Sequence, residues 1–184
     1  MREISLHIMD IAENGIAAGA GRIEILVNEN RSGNLLTVEI KDNGRGIPPD
    51  MLANITDPFV TTRTTRRVGM GLSLLKAAAE RCGGQFEIHS EVGKGTRTAA
   101  TFQYDHIDRA PLGRMVSSIM LLIAGRPDID FVYTHIVDGK DFVLDTAEIK
   151  TELGEISIGE PAVIRQLKES VEEMLAHLPV ASEQ

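Results

Sequence analysis

The chain has 184 residues, of which 42% are apolar, and it carries a net charge of −8. This length and composition are typical of one globular domain, or of a domain with a small addition. The acidic balance argues against general nucleic-acid binding, which needs a cationic surface. Cys82 is the one cysteine of the sequence, so an internal disulfide is excluded and a reducing compartment is indicated.

The charge is unevenly spread along the chain. Residues 1–106 carry 12 basic and 13 acidic side chains, whereas residues 107–184 carry 7 and 14. This step predicts a boundary between a first domain over 1–106 and a small, acidic α+β domain over 107–184. We expect the second domain to bind a partner or to regulate the first.

Two features bear on location. The first ten residues lack a basic start followed by an apolar run, so we expect no secretion signal. The longest apolar run, 119–124, is far too short to cross a bilayer. The sequence therefore predicts a cytoplasmic protein that has no membrane partner.

The first predicted element is an amphipathic helix over residues 3–19. Asp10 and Asn14 are four residues apart, so both lie on one face of this helix. The spacing aims a carboxylate and an amide at the same place, and it equally fits a solvated polar stripe on a core helix. Residues 23–29 and 35–41 then alternate between apolar and polar side chains, which predicts two strands.

The stretch 42–71 concentrates glycines, threonines and charges. Glycines let backbone N–H groups approach phosphates, a carboxylate can recognise a base, and cations balance the phosphate charge. Residues 57–68 have little apolar periodicity, which predicts a mobile loop. The three segments of interest are Asp42-Asn43-Gly44-Arg45-Gly46-Ile47, Asp57-Pro58-Phe59-Val60-Thr61-Thr62-Arg63 and Gly69-Met70-Gly71-Leu72-Ser73-Leu74.

The rest of the chain alternates between helical and strand patterns. A helix over 69–81 ends at a glycine pair, and two strands follow on either side of a glycine-rich turn. The later part again has helical spacing, then a hairpin, then a last helix that begins at a proline. These predicted elements are the strands 85–91 and 97–104, the helix 112–124, the strands 131–137 and 142–145, and the helix from Pro161.

Taken in order, four segments resemble the sequence boxes of the histidine-kinase-like ATPases. That superfamily also holds gyrase, the ATP-clamp heat-shock chaperones and the mismatch-repair ATPases. The resemblance covers residues 1–104, and its segments are Asp10-Ile11-Ala12-Glu13-Asn14 for the N box, 42–46 for the first glycine box, 57–63 for the F box and 69–74 for the second glycine box. It implies an α+β fold of the Bergerat type, a two-layer sandwich whose mixed sheet is covered by helices on one face. Residues 107–184 would be a small α+β appendage.

The resemblance also implies roles for individual residues. Asp42 would accept a hydrogen bond from the adenine amino group of ATP, helped by Thr96. Asn14 would give its amide oxygen to Mg²⁺, which prefers oxygen ligands. Asp10 would stand at the position of a water-activating base, and Arg63 would meet the terminal phosphates. The other nucleotide-binding residues that it implies are Gly44, Gly46, Ile47, Phe59, Thr62, Gly69, Met70, Gly71 and Leu72, with 60–68 as a lid.

The sequence departs from the family pattern at three points. Members that hydrolyse ATP commonly carry Glu where this chain has the shorter Asp10, so we expect weak or absent water activation. The residues after Asn14 lack the polar or basic residue that many relatives carry there. Only six residues precede His7, with no phosphoacceptor hairpin, so we expect the chain to act on a separate protein rather than as a complete sensor kinase.

Two functions of different classes fit the sequence. The short lid and the helix that starts at residue 69 resemble histidine kinases, although residues 14–20 resemble mismatch-repair ATPases. The first hypothesis is therefore a signalling kinase module that transfers the γ-phosphate of ATP to a partner's His, or to its Ser or Thr. The alternative is a nucleotide-gated binding module or slow ATPase that transfers no phosphate. Either would have a protein partner, and the sequence leaves open whether the chain forms a homodimer.

Overall fold

The computed structural model describes residues 3–56 and 70–178. This part of the chain contains both helices and strands, and the strands form a single mixed sheet. Its elements are α1 (Ile4–Ala17), β1 (Arg22–Asn30), β2 (Leu35–Asp42), α2 (Pro49–Leu52), α3 (Met70–Arg81), β3 (Phe86–Glu91), β4 (Gly95–Gln103), α4 (Met115–Gly125), β5 (Asp130–Val137), β6 (Lys140–Asp145), α5 (Thr146–Leu153) and α6 (Pro161–Ala176).

The sheet has six strands in the order β3-β4-β2-β1-β5-β6. Neighbouring strands pair antiparallel except β1 and β5, which pair parallel. In β1, β2 and β5 every second side chain is buried, so one face of the sheet is covered and the other is accessible. The helices α1 and α3 pack on the covered face. The predicted α+β class, with a mixed sheet covered on one side, is confirmed.

The helix α1 forms where the sequence places apolar residues three and four apart. Ile4, Ile8 and Ile11 are buried against the sheet, as the helical spacing predicts. Beside this buried face, the helix carries Asp10, which is exposed, and Asn14, which is half-buried. The amphipathic pattern thus fixes both which face of α1 packs and which face remains open to a ligand.

The predicted boundary at residue 106 falls between β4 and α4, inside one continuous sheet. The pairing of β1 with β5 runs from Arg22 opposite Asp130 to Glu29 opposite Val137. Phe131 of β5 belongs to the same buried core as the apolar residues of α1. The division into two domains stays a prediction, and the parallel pairing makes the two halves share a core.

Polar side chains also join the two halves at the far end of the sheet. The imidazole Nε2 of His135 lies 2.7 Å from a Glu29 carboxylate oxygen, and its Nδ1 lies 2.7 Å from the Tyr133 hydroxyl. The Tyr104 hydroxyl donates to the other oxygen of Glu29 at 2.9 Å. These bonds lower the pKa of the Glu29 carboxyl, with the hydrogen bond to His135 as the largest cause. The network satisfies groups that would otherwise be costly to bury.

Residues 3–56 and 70–178 contain no candidate for a membrane-spanning segment. No helix there combines the length and the apolar composition that a bilayer crossing needs. The longest of these helices is α6, with 16 residues.

Candidate nucleotide-binding site

Three polar side chains form a row across the ends of neighbouring strands. Asp42 of β2 pairs with Thr96 of β4, and Thr96 pairs in turn with Ser90 of β3. These three side chains lie on the covered face of the sheet, in line with the apolar core residues of the same strands. The core therefore ends at this edge in a set of hydrogen-bonding groups that face the region next to α1.

The Asp42 carboxylate is buried and held by the backbone. Its exposed fraction is 9%, and its Oδ1 accepts a hydrogen bond of 2.9 Å from the N–H of Gly44. Burial raises the pKa of the Asp42 carboxyl, and hydrogen bonds from the backbone N–H groups of Gly44 and Thr96 offset part of that rise. The group is thus a positioned acceptor in a poorly solvated place, as recognition of a base edge requires.

The loop that follows Asp42 is fixed on both sides. The side-chain oxygen of Asn43 accepts hydrogen bonds from two backbone N–H groups at the start of β1, both at 2.9 Å. The N–H of Arg45 donates to the carbonyl of Ala18 at 3.0 Å, and its carbonyl accepts from the N–H of Gly93 at 2.8 Å. The loop therefore bridges the end of α1 and the β3–β4 turn.

Gly46 is the point where this loop lies closest to the β3–β4 hairpin. Its φ is +69°, and a Cβ added there would overlap the backbone carbonyl of Glu91. Gly93, in the turn, has a similar φ of +80° but open space around it. Both positions have a left-handed backbone conformation. Gly46 must in addition lack a side chain, because there is no space for a Cβ beside Glu91.

Gly46→Ala is expected to lower the free energy of unfolding by about 3 kcal/mol, from a left-handed alanine and a backbone overlap together. Gly93→Ala should cost about 1 kcal/mol, because it adds the backbone strain alone. Urea titrations of the two variants and the unchanged protein measure both values. Equal losses would contradict the close contact between Gly46 and Glu91.

The helix α1 passes directly over Asp42. A Cβ added at Gly15 would lie 2.8 Å from the Cβ of Asp42, so the helix backbone contacts the aspartate side chain there. Asn14 directly precedes Gly15 in this turn of the helix. At Gly71 an added Cβ would lie 3.1 Å from the Cβ of Asp10, so the first turn of α3 lies against α1 one turn further along. Helix α1 therefore meets Asp42 at Gly15 and the start of α3 at Asp10, and Asn14 shares a helix face with Asp10.

The start of α3 also has the character expected of a phosphate-binding end. Backbone N–H groups in the first turn of a helix have no partner within the helix and attract anions. Leu72 is buried, with 4% exposure, so its side chain belongs to the core and its contribution to a ligand would come from the backbone. Gly71 is also buried, and its lack of a side chain allows α1 to lie close to this turn.

Several residues implied by the family resemblance lie outside the described part of the chain. Their roles as ligands of the base, the phosphates or the lid stay predictions, as do the roles of the described residues. The undescribed ones are Phe59, Thr62, Arg63, Gly69 and the predicted lid over 60–68.

Ser90 belongs to the site and was not among the predicted site residues. Its Oγ accepts a hydrogen bond of 2.8 Å from the N–H of Ile47 and donates one of 2.9 Å to the carbonyl of Gly95. It also lies 2.9 Å from the Oγ1 of Thr96. Counting residues across the glycine-rich turn from Thr96 would have pointed to Ser90 as its cross-strand neighbour.

A surface depression of about 280 Å³ opens at the same strand ends. It is lined in part by Lys41 and Arg97, which form ion pairs with Glu24 and Glu39 on the accessible face of the sheet. Strand side chains alternate between faces, so these residues point away from α1. Asp42, Ser90 and Thr96 line the same depression, which therefore includes side chains of both faces at these strand ends.

Sequence comparison finds sensor kinases among the relatives. The sensor protein SrrB of Staphylococcus aureus is 35% identical over 101 residues, covering 52% of this chain and 17% of that protein. The sensor kinase CckA of Brucella abortus is 44% identical over 59 residues, covering 32% of this chain and 6% of that protein. The chain thus matches a small part of each of these much longer relatives.

Comparison with solved structures finds the same fold in a MutL ATPase domain. The ATPase domain of MutL from Aquifex aeolicus, complexed with ADP, superposes with a TM-score of 0.52 at 15% identity, covering 79% of this chain and 63% of that one. Residues 2–106 match the family described as histidine kinase-, DNA gyrase B- and HSP90-like ATPase. The chain therefore belongs to this ATPase family, and residues 2–106 are its ATP-binding module.

Proposed function

We propose that the protein binds ATP with Mg²⁺ between α1, the end of β2 and the start of α3, and transfers the γ-phosphate to a separate protein. The observation that carries this proposal is that α1 contacts Asp42 at Gly15 and the first turn of α3 at Asp10, with Asn14 between these two contacts in the sequence. It provides an acceptor for the base, an amide oxygen for a cation and N–H groups for phosphates. Sensor kinases among the relatives support transfer to a protein.

At the base end, Asp42 accepts a hydrogen bond from the adenine amino group. Its other hydrogen bond, from the N–H of Gly44, keeps the carboxylate oriented and offsets part of the rise in its pKa that burial causes. The Thr96 hydroxyl beside it supplies a second polar contact, directly or through a water. Gly44, Gly46 and Ile47 form the backbone rim of this end.

At the phosphate end, Asn14 and Asp10 lie one helical turn apart on the same face of α1. An amide oxygen and a carboxylate are hard oxygen donors that fit Mg²⁺, which shares its remaining positions with phosphate oxygens and water. The cation would neutralise charge on the bridging phosphates. Residues 69–72 cradle the phosphates with backbone N–H groups, and Arg63 stabilises charge on the terminal phosphate. Asp10 orients the cation or a water, since its reach is short for deprotonating one.

The phosphate acceptor lies on another protein. The acceptor side chain is a His, as in a two-component kinase whose parts are separate, or a Ser or Thr. Residues 107–184 carry most of the negative charge and contribute the surface that selects the partner. A homodimer and a cytoplasmic location, both suggested by analogy with sensor kinases, complete the proposal.

A second candidate is a nucleotide-gated binding module that transfers nothing. The parallel pairing of β1 with β5 favours it. The start of β1 is hydrogen-bonded to the side chain of Asn43, and β1 is bonded along its length to β5 in the later half of the chain. A shift at the nucleotide loop then reaches the partner surface through one sheet.

Labelled ATP separates the two candidates. The full chain is incubated with γ-labelled ATP, Mg²⁺ and proteins that co-purify with it, and label is followed on each protein. Label on a partner, stable to base for His or to acid for Ser and Thr, supports transfer. Nucleotide-dependent complex formation without label supports the second candidate.

Asn14→Ala is expected to weaken ATP binding in the presence of Mg²⁺ by about 1–2 kcal/mol and to have a smaller effect in its absence. The reason is that the amide oxygen acts through the cation rather than on the nucleotide itself. Calorimetric titration with and without Mg²⁺ measures both losses, and Glu13→Ala, on the exposed side of the same turn, is the control. Equal losses in the two conditions would remove Asn14 from the metal site.

A further inference from the structure

We propose that Ser90 sets the direction of the Thr96 hydroxyl and thereby makes the base pocket selective for a purine with an amino group at position 6. The inference rests on the proposed ATP site and goes beyond it, because it concerns a residue that makes the pocket choose among purines. Ser90 is a positioning residue, since it acts through Thr96.

The hydrogen bonds of Ser90 determine whether Ser90 or Thr96 donates in the contact between their two hydroxyls. A serine hydroxyl has one proton to donate and two lone pairs that accept. The proton goes to the carbonyl of Gly95 at 2.9 Å, because a carbonyl can only accept. One lone pair accepts from the N–H of Ile47 at 2.8 Å. The remaining contact, 2.9 Å to Thr96 Oγ1, must then be a bond in which Thr96 donates.

This assignment leaves Thr96 with lone pairs alone for a ligand. Its neighbour across the strand pair is Asp42, whose carboxylate in the ionised form is also acceptor-only. The polar wall of the pocket therefore presents acceptors to the base. It matches a 6-amino group or a water that donates to N1, and it opposes a 6-oxo group, whose oxygen would meet acceptors.

The three strands hold this arrangement in place. Ser90, Thr96 and Asp42 form one transverse row in register on β3, β4 and β2. The bond from Ile47 further ties Ser90 to the glycine loop that follows Asp42. Without the Ser90 hydroxyl, Thr96 is free to rotate and to donate to a 6-oxo oxygen.

The test compares ATP with inosine triphosphate, which carries an oxygen in place of the amino group at position 6. Calorimetric titration of the full chain with each nucleotide gives a ratio of affinities. The unchanged protein should prefer ATP by about a hundredfold or more. Ser90→Ala should lower that ratio about tenfold, the worth of one hydrogen bond, mainly by a gain in inosine triphosphate binding.

Two further variants make the result specific. In a Thr96→Val background, adding Ser90→Ala should leave the ratio unchanged, because the hydroxyl that Ser90 directs is gone. Thr101→Val removes a hydroxyl of the same strand pair that accepts from the N–H of Gln85 at 2.9 Å, at the end away from the pocket. This control should keep the full preference for ATP.

Two results would overturn the inference. If Ser90→Ala weakens both nucleotides equally, Ser90 merely supports the loop and does not set the selectivity. If the ratio falls by the same factor with and without Thr96, the effect does not pass through Thr96. Failure of the unchanged protein to bind either nucleotide would instead overturn the proposed function, and this inference with it.

Discussion

Asp42→Asn is expected to weaken ATP binding by about 1.5–3 kcal/mol, because a charge-assisted hydrogen bond to the adenine amino group is lost. The amide that replaces the carboxylate also presents donors toward that amino group. Calorimetric titration with ATP measures the loss. Asp141→Asn, an exposed residue of β6, removes the same charge elsewhere and should leave the affinity unchanged. Unchanged affinity in Asp42→Asn would remove this residue from base recognition.

The same substitution should raise the free energy of unfolding at neutral pH. Burial raises the pKa of Asp42 in the folded state above its ordinary value of 3.8. A raised pKa means that folding favours the neutral form, so the stability contribution is present below pH 3.8 and is lost as pH rises through the folded pKa. The neutral Asn avoids that loss. Urea titrations at neutral pH and below pH 3.8 should therefore differ, with the gain in stability at neutral pH only.

The ATP affinity of the unchanged protein should fall on acidification for the same reason. Protonation of Asp42 removes an acceptor, and it begins above the usual range of a carboxyl because the pKa of this group is raised. In Asp42→Asn this step should be absent, which separates it from titration of the nucleotide. Functional sites typically contain groups that ligand binding requires and that lower the stability of the fold.

Ending the chain after residue 106 is expected to abolish cooperative folding. The shortened chain would leave one edge of β1 unpaired and would lose Phe131 and Tyr133 from the core, each with 1% exposure. Removing one large buried aromatic side chain typically costs about 3–5 kcal/mol, so the loss of two together with α4 exceeds the stability of an ordinary domain. Thermal unfolding followed by circular dichroism measures whether the shortened chain unfolds in a cooperative transition.

A chain that ends after residue 178 serves as the control, since it keeps every described element and should unfold cooperatively. If the chain that ends after residue 106 also unfolded cooperatively and bound ATP, the boundary predicted from charge would be a true domain boundary. Aggregation or a broad transition would instead mean that the later half completes the fold of the ATP-binding module.

The elements themselves could be predicted because their signals are local. Apolar residues three and four apart define α1, and alternation defines β1 and β2, with ends close to those predicted. The helix α5 was not predicted, because Thr146 is its only buried residue among those described and it therefore lacks an apolar stripe. Where the local pattern is weak, the surrounding structure decides the conformation.

The candidate site was predicted in part. Asp42, Asn14 and the start of α3 could be named from their sequence boxes, since each box is a short run with a fixed order. Ser90 could not, because its importance comes from the direction of a proton shared with Thr96 across two strands. Hydrogen-bond direction depends on all partners of a group together, and those partners come from three separate segments.

By itself, the sequence determined the class of the fold, the positions of most helices and strands, and the family to which residues 2–106 belong. Only the tertiary structure decided that β5 pairs beside β1, that Gly46 lies against Glu91, and that the hydroxyls of Ser90 and Thr96 lie 2.9 Å apart. The physical reason is range: periodicity along the chain records which face of an element is buried, but pairing in register joins residues as far apart as Arg22 and Asp130. Such contacts depend on the packing of the whole sheet.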